Sequence, residues 1–326
     1  MKMQSHLDAM ATRIFCAVTS TASHEESFGI VRLALVIIGC FTACAARCAE
    51  APDGSERTYS LMTAGGNPAE STSPLWRSLS LSRGINRYDY REPDPAGRVH
   101  PFNTESGNLQ TDKATISWIG APAKWLPILA VQTNLVYTNG STNYSGYLQN
   151  GNALTTYHAK TENRLDTGSL RIGIPIKFES KLTGTSFFVL YAEHGLNRWR
   201  RSLIQYDENF RWKTTGVGAM ALWPLSETLA GTATRLTLEL DASFGKSSQS
   251  TLRVPSLKFE SNLSESANNR IALTLKYSFS KNYFAGLSFE NNRNGFGSSP
   301  ALSGLQYPGA VRVTKMWHSH VGVIYY

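Results

Sequence analysis

Two groups of residues in this sequence have side chains suited to chemistry. The first is a scatter of acids and imidazoles, His158, Asp166, His194, Asp207 and Glu208, the types that hydrolases use as general acid and base. Their spacing forces no shared site, and no catalytic residue is assigned. The second is His318 and His320, which alternate with Trp317 and Ser319 and therefore share one face of an extended segment. Neighbouring imidazoles can bind a metal or titrate at roughly pH 6.5. With no third ligand at a metal-site spacing, they read as part of a polar face, and no metal is assigned. The sequence has no Gly-rich phosphate loop, nucleophile elbow or zinc-ligand cluster. It is read as a chain without a cofactor and not as an enzyme.

The remaining charged residues take their meaning from the elements that carry them. From Ile271 to Phe279, Ile271, Leu273, Leu275, Tyr277 and Phe279 alternate with Ala272, Thr274, Lys276 and Ser278. After a short turn at Ser280-Lys281-Asn282, Tyr283, Ala285, Leu287 and Phe289 alternate with Phe284, Gly286, Ser288 and Glu290. A period of two puts one set on each face of a strand. The same theme predicts strands at about Leu75 to Tyr90, Lys113 to Ile119, Ile128 to Thr138, Asp166 to Phe178, Thr185 to Trp199, Trp212 to Trp223, Arg235 to Phe244, and Val311 to the end. Arg83 breaks the apolar face of the first of these. In all there are about ten strands.

The connections alternate in length. Gly120 to Trp125, Glu179 to Gly184, Pro224 to Gly231 and Ser280 to Asn282 are short. Arg91 to Asp112, Asn139 to Leu165, Arg200 to Arg211, Lys246 to Arg270 and Asn291 to Ala310 are long and polar. Short turns at one end and long loops at the other are the layout of a transmembrane antiparallel up-and-down β-barrel. The hydrocarbon layer offers backbone groups no water, so strands crossing it must close into a ring with no free edge. The fold class is therefore all-β, with both termini in the periplasm. Trp118, Trp125, Tyr137, Trp212, Trp223, Tyr283 and Trp317 fall at strand ends and suit aromatic girdles.

Parity then assigns the charges. Arg171, Lys177, Glu193, Arg235, Glu239, Asp241, Lys276 and Glu290 are expected to face the lumen. A ten-stranded interior is only a little wider than an eight-stranded one, which side chains nearly fill. Charges of mixed sign there are expected to pair with one another. A narrow polar pore for ions or small solutes is the alternative, and a hydrolase at the rim is the third reading. Arg198, Trp199, Arg200 and Arg201, at a strand top, are the expected lipopolysaccharide contact. The formal net charge is +8, but the basic residues are interleaved along the strands and loops, so nucleic acid is not a predicted partner.

The N-terminal region is different. Arg32 precedes an apolar run from Leu33 to Ala46, with small residues at Ala43-Cys44-Ala45, the pattern of a signal peptide. Residues 1–48 are read as a leader, 49–74 as a flexible periplasmic segment and 75–326 as the barrel. Cys16, Cys40, Cys44 and Cys48 all lie in the leader, so the exported part has no disulfide framework. Cys40 and Cys44 each end a stretch resembling a lipoprotein box, which is read as ordinary h-region sequence.

The layout resembles the small outer-membrane barrels of proteobacteria, the opacity-protein and OmpX-like group. Arg87-Tyr-Asp-Tyr-Arg-Glu-Pro93 is similar to a Tyr-x-Tyr-x-Glu-Pro stretch in uncharacterised members of that group. The chain also ends in an amphipathic strand, Val321-Gly-Val-Ile-Tyr-Tyr326, which resembles the segment read by the barrel-assembly machinery. The resemblance implies an outer-membrane protein with a structural or surface-interaction role through its extracellular loops, the ligand left open.

Overall fold

The computed structural model of the chain describes residues 76–325, apart from position 95 and the segments 121–127, 151–152, 181–183, 204–205, 226–234, 281 and 303–305. The expected leader and flexible segment lie outside the described residues. The strands are β1 (Trp76–Glu92), β2 (Asn103–Gly120), β3 (Leu129–Asn150), β4 (Ala153–Ser180), β5 (Gly184–Ser202), β6 (Asp207–Pro224), β7 (Arg235–Val254), β8 (Phe259–Leu263), β9 (Ser266–Ser278), β10 (Tyr283–Phe296) and β11 (Ala310–Tyr325). Each long strand pairs antiparallel with its neighbours. The order is β6-β5-β4-β3-β2-β1-β11-β10-β9-β7, and a β6–β7 pairing closes the ring; β8 is a short flap on the end of β7. The result is a closed ten-stranded barrel. Among the described residues no helix is long and apolar enough to cross a membrane; the strands make the crossing.

Ring closure and alternation together produce the lipid-facing belt. Ile85, Ile174, Val217, Leu240, Leu287, Trp317 and Val321 all stand exposed on the outer wall, Ile174 at 60% and Trp317 at 63%. So large an exposed apolar band is a liability in water and a requirement in a bilayer. Arg83, within this band, pairs across the strand with Asp112 at 3.3 Å on the outer wall. Inside, space is tight. A Cβ at Gly218 would stand 2.5 Å from the Tyr191 ring and its hydroxyl, so this glycine makes room for a lumen side chain.

The structure corrects the reading of the long connections. Asn139 to Leu165, expected as a loop, is strand almost throughout: β3 runs to Asn150 and β4 starts at Ala153. Lys246 to Arg270 is likewise mostly strand, and β1 and β2 extend well into the expected loop from Arg91 to Asp112. The strands are long, and the upper connections are shorter than expected, the longest being 93–102 and 297–309. The physical reason is that the wall above the bilayer meets water. Its outer face no longer needs apolar residues, so the apolar-out pattern stops while the hydrogen-bond ladder continues.

Above the belt the pattern inverts. In β1, Leu79, Leu81 and Ile85 point out. Higher up, Tyr88 and Tyr90 are buried inside, while Arg87, Asp89 and Arg91 face out. In β5, Leu190 and Leu196 face out and then Trp199 is buried inside; in β10, Leu287 faces out and Phe296 in. In β6, Phe210 and Trp212 are buried inside, so Trp212 is a lumen residue and not a girdle one. The residues at the top of β7 reach the same inner face through a register irregularity, opposite Arg211 and Lys213. The upper half is therefore a water-exposed barrel with an apolar core, set on a lower half with the reverse pattern. Trp125 lies outside the described residues. The register of β11 against β1 is unbroken from Val311 to Tyr325, so Tyr325 shares the parity of Val321 and Val323.

A charge placed on the two halves should distinguish them. Ile174→Arg, in the belt, is expected to destabilise the bilayer-inserted barrel by about 2–4 kcal/mol, and Thr156→Arg, on the outer wall higher in the same strand, by about 0–1 kcal/mol. Urea unfolding in lipid vesicles measures both; equal costs would contradict the placement of the belt.

Candidate functional site

The candidate site is the lumen, which holds two layers of side chains with a small chamber between them. The lower layer is ionic. Arg171 of β4 contacts Glu193 of β5 at 3.2 Å and Asp241 of β7 at 2.8 Å. Arg270 of β9 pairs with the same Asp241 and lies 3.5 Å from Glu290 of β10. Lys113 of β2 reaches Glu290 at 3.1 Å. The Tyr191 hydroxyl donates to Asp241, and Arg171 donates to Gln132 at 2.7 Å. Lys113 and Glu290 sit on strands separated by β1 and β11, and Arg171 and Asp241 on strands separated by β5 and β6. These pairs therefore span the interior rather than run along the wall. Three cations meet three carboxylates, so the layer is close to neutral. A separate pair, Lys276 and Glu239, is 2.6 Å apart.

The upper layer is aromatic and encloses two guanidiniums, those of Arg201 and Arg312. Arg201 of β5, 1% exposed, meets Glu105 at 2.6 Å, Glu208 at 2.8 Å and Glu92 at 3.5 Å. Its guanidinium lies 4.7 Å from the centre of the Tyr90 ring, a cation–π distance. Trp199 stacks on Phe210 with centroids 4.6 Å apart and donates its indole N–H to Asn163 at 2.7 Å. Tyr90 donates to Glu92 at 2.6 Å and shares a hydrogen bond with Tyr307 at 2.7 Å. Tyr88, Trp212 and Phe296 complete the packing. Around Arg201, which stands above the belt, burial pushes the Glu208 carboxyl up to about 7 against the pull of the guanidinium.

The lumen residues expected from parity are placed as follows. Arg171, Glu193, Glu239, Asp241, Lys276 and Glu290 point inward and carry the contacts just described. The side chains of Lys177 and Arg235 lie outside the described residues. His318 and His320 are buried on the inner face of β11, at 3% and 7% exposure. Among the described residues there is no group of three His, Cys, Asp or Glu side chains placed to hold a metal. The scattered acids and imidazoles do not converge. His158 and His194 are exposed, and Asp207 pairs with Arg200 at 2.7 Å.

The expected lipopolysaccharide contact is corrected. Strand alternation splits the run: Trp199 and Arg201 turn into the lumen and are fully buried, while Arg200 is exposed and Arg198 half-buried on the outer wall. Sequence reasoning also missed Lys113, Arg270, Arg201 and Arg312 as lumen residues. The overlooked signal was parity continued past the belt, which puts Tyr88, Tyr90 and Glu92 of the Tyr-x-Tyr-x-Glu stretch on one inner face.

Asp241→Ala should show the dependence of the ionic layer on its shared acid. It leaves two buried guanidiniums short of charge, and a loss of about 3–5 kcal/mol is expected. Lys246→Ala, which removes an exposed ion pair with Glu265, is expected to cost about 0–1 kcal/mol. Chemical unfolding of the two variants decides; comparable losses would mean that the ionic layer is not what braces the lumen.

No family model matches the chain, and no curated protein matches it. Among solved structures, it is similar to the outer membrane protease OmpT from Escherichia coli, at 11% identity over 78% of this chain and 99% of that one, with a TM-score of 0.49. It is also similar to the transport unit of the autotransporter AIDA-I from Escherichia coli, at 10% identity over 82% and 93%, with a TM-score of 0.41, and to Ail of Yersinia pestis, at 10% identity over 77% and 100%, with a TM-score of 0.26. At such identities the likeness is one of fold. With its closed antiparallel ring, apolar outer belt and polar lumen, the chain has the fold of an outer-membrane β-barrel.

Proposed function

We propose that this barrel is closed to solutes and acts at the cell surface, as a structural or surface-interaction protein. The observation that carries this reading is the pair of layers across the lumen. Ion pairs between strands on different sides of the ring block the lower level, and packed aromatic rings block the upper one. A pore built on this ring would have to break Lys113–Glu290 or Arg171–Asp241, each buried and costly to separate. The surface offered outward is the polar wall above the belt together with the connections at its rim, the longest of them 93–102 and 297–309. The hydrolase reading is the weaker one, because the rim acids and imidazoles stand apart or in ion pairs.

Planar-bilayer recording of the refolded chain tests this. The wild type is expected to insert without discrete openings, and a variant carrying Arg171→Ala and Asp241→Ala to conduct intermittently. Reproducible openings of the wild-type protein would overturn the closed reading in favour of the pore.

A second observation supports a lipid partner. Arg87 and Lys315 stand directly opposite each other on β1 and β11, both exposed on the outer wall above Trp317, and neither is in an ion pair among the described residues. Like charges directly opposite are unfavourable unless an anion lies between them. With Arg293 on β10, they form a basic triangle suited to the phosphates of lipopolysaccharide, alongside Arg198 and Arg200 on the far wall. The double variant Arg87→Ser, Lys315→Ser is expected to lose most of the thermal stabilisation that added lipopolysaccharide gives the wild type in phosphatidylcholine vesicles. An undiminished gain would remove this triangle from the contact.

A further inference from the structure

We propose that the chamber between the two lumen layers binds a small monovalent anion, of the halide class, held by Arg312. The proposal rests first on charge. Four cationic side chains line the chamber: Lys113, Arg171, Arg270 and Arg312. Three of them are matched by Glu193, Asp241 and Glu290. Arg312 has no carboxylate within 4.0 Å among the described residues, although it is only 5% exposed. Arg312 is therefore the one chamber-lining cation with no carboxylate beside it among the described residues. An unpaired charge taken out of water is among the most expensive features a fold can carry.

Hydrogen bonding gives an independent reason. Arg312 packs against the rings of Trp199, Trp212 and Phe296, with its guanidinium carbon 5.5, 5.1 and 5.5 Å from their centroids. Ring faces attract the cation but do not replace acceptors for its N–H groups. Its Nε and Nη1 have no hydrogen-bond partner among the described residues. The aromatic cage thus fixes the guanidinium and leaves donors free beside the chamber.

The chamber suits a small anion. Its volume is 120 Å³, whereas one water needs roughly 10–15 Å³ on the same measure, so it holds an ion together with several waters. Its walls near Arg312 are amides and a hydroxyl: Asn294 lies opposite Arg312 in β10, and Asn292 lies opposite Thr314 one inward position further down β11. Water alone would satisfy the N–H groups but not the charge. The three carboxylates around Arg201 outnumber it, but they are held by that guanidinium, Tyr90, Asn103, Asn163 and Thr142, and none lies within 4.0 Å of Arg312. Aromatic packing above and ion pairs below exclude larger organic anions. The site does not depend on the closed-lumen reading, since an anion at Arg312 is equally compatible with a conducting barrel.

Two measurements on the refolded full chain test it. Crystals grown in bromide are expected to show an anomalous peak within hydrogen-bond reach of Arg312 Nε or Nη1. In detergent, replacing gluconate with chloride at constant ionic strength is expected to raise the Tm saturably by ~2–4 °C. Arg312→Gln should abolish the rise, and Lys160→Gln, exposed on the outer face of β4, should keep it. Should Arg312→Gln fail to fold, the wild-type bromide map decides. Absence of the peak at Arg312, or a chloride effect that survives Arg312→Gln, overturns the proposal.

Discussion

In a layer without water, every backbone N–H and C=O must find its partner within the protein, and for strands that requires closing the ring. Here the closing seam joins the first strand to the last, rung by rung from Arg77 opposite Tyr325 to Arg91 opposite Val311. Much of the remaining structure follows from that seam. A closed ring has an inside, and alternation sends half of all side chains into it. At ten strands the inside is narrow, so charges that enter it come within reach of one another. The ionic layer of Arg171, Asp241, Arg270, Glu290 and Lys113 is the outcome. Each partner comes from a different strand, and each is stabilised by neighbours that closure alone brings near.

The same strands serve two environments, which explains the split character of the interior. Within the bilayer the favourable place for apolar groups is outside, so polar groups collect in the lumen. Above it, water lies outside and the ordinary hydrophobic effect applies. The aromatic residues therefore move inside, where Trp199, Phe210, Phe296, Tyr88 and Tyr90 pack as they would in a soluble core. In β1 and β5 this inversion needs no break in the ladder, because the residue types simply exchange faces. The two interiors then differ in polarity, and the chamber lies at their junction, between neutralised ions and packed rings.

The legible part of the sequence was the part the bilayer constrains. Ile271 to Phe289 and Leu170 to Ile176 announce strands because apolar and polar residues strictly alternate there. The upper wall gave no such signal. Asn139 to Leu165 carries polar residues on its outer face and few large apolar ones within, so it has strand geometry without strand-like hydrophobicity. At Arg198-Trp199-Arg200-Arg201 the run was read as one surface, although a strand cannot present four consecutive residues on one side. Parity alone would have divided it. The partners were illegible for a different reason. Lys113 and Glu290 are 177 residues apart, and nothing local to either says that the ring will place them face to face.

The aromatic and ionic layers also differ in how much they tolerate. The ionic layer works by matching, so its members can be removed in opposite-charge pairs more cheaply than singly. The aromatic layer works by area and shape; each large ring buries on the order of 150–250 Å², and a truncated ring leaves a void that no neighbour refills. Arg312 belongs to neither scheme. It sits in the aromatic layer by contact and beside the ionic layer by charge, with rings around it and no acid. A side chain so placed needs acceptors for its buried N–H donors that the described residues do not supply. That requirement makes the junction between the layers, rather than either layer alone, the part of the interior where a ligand is called for.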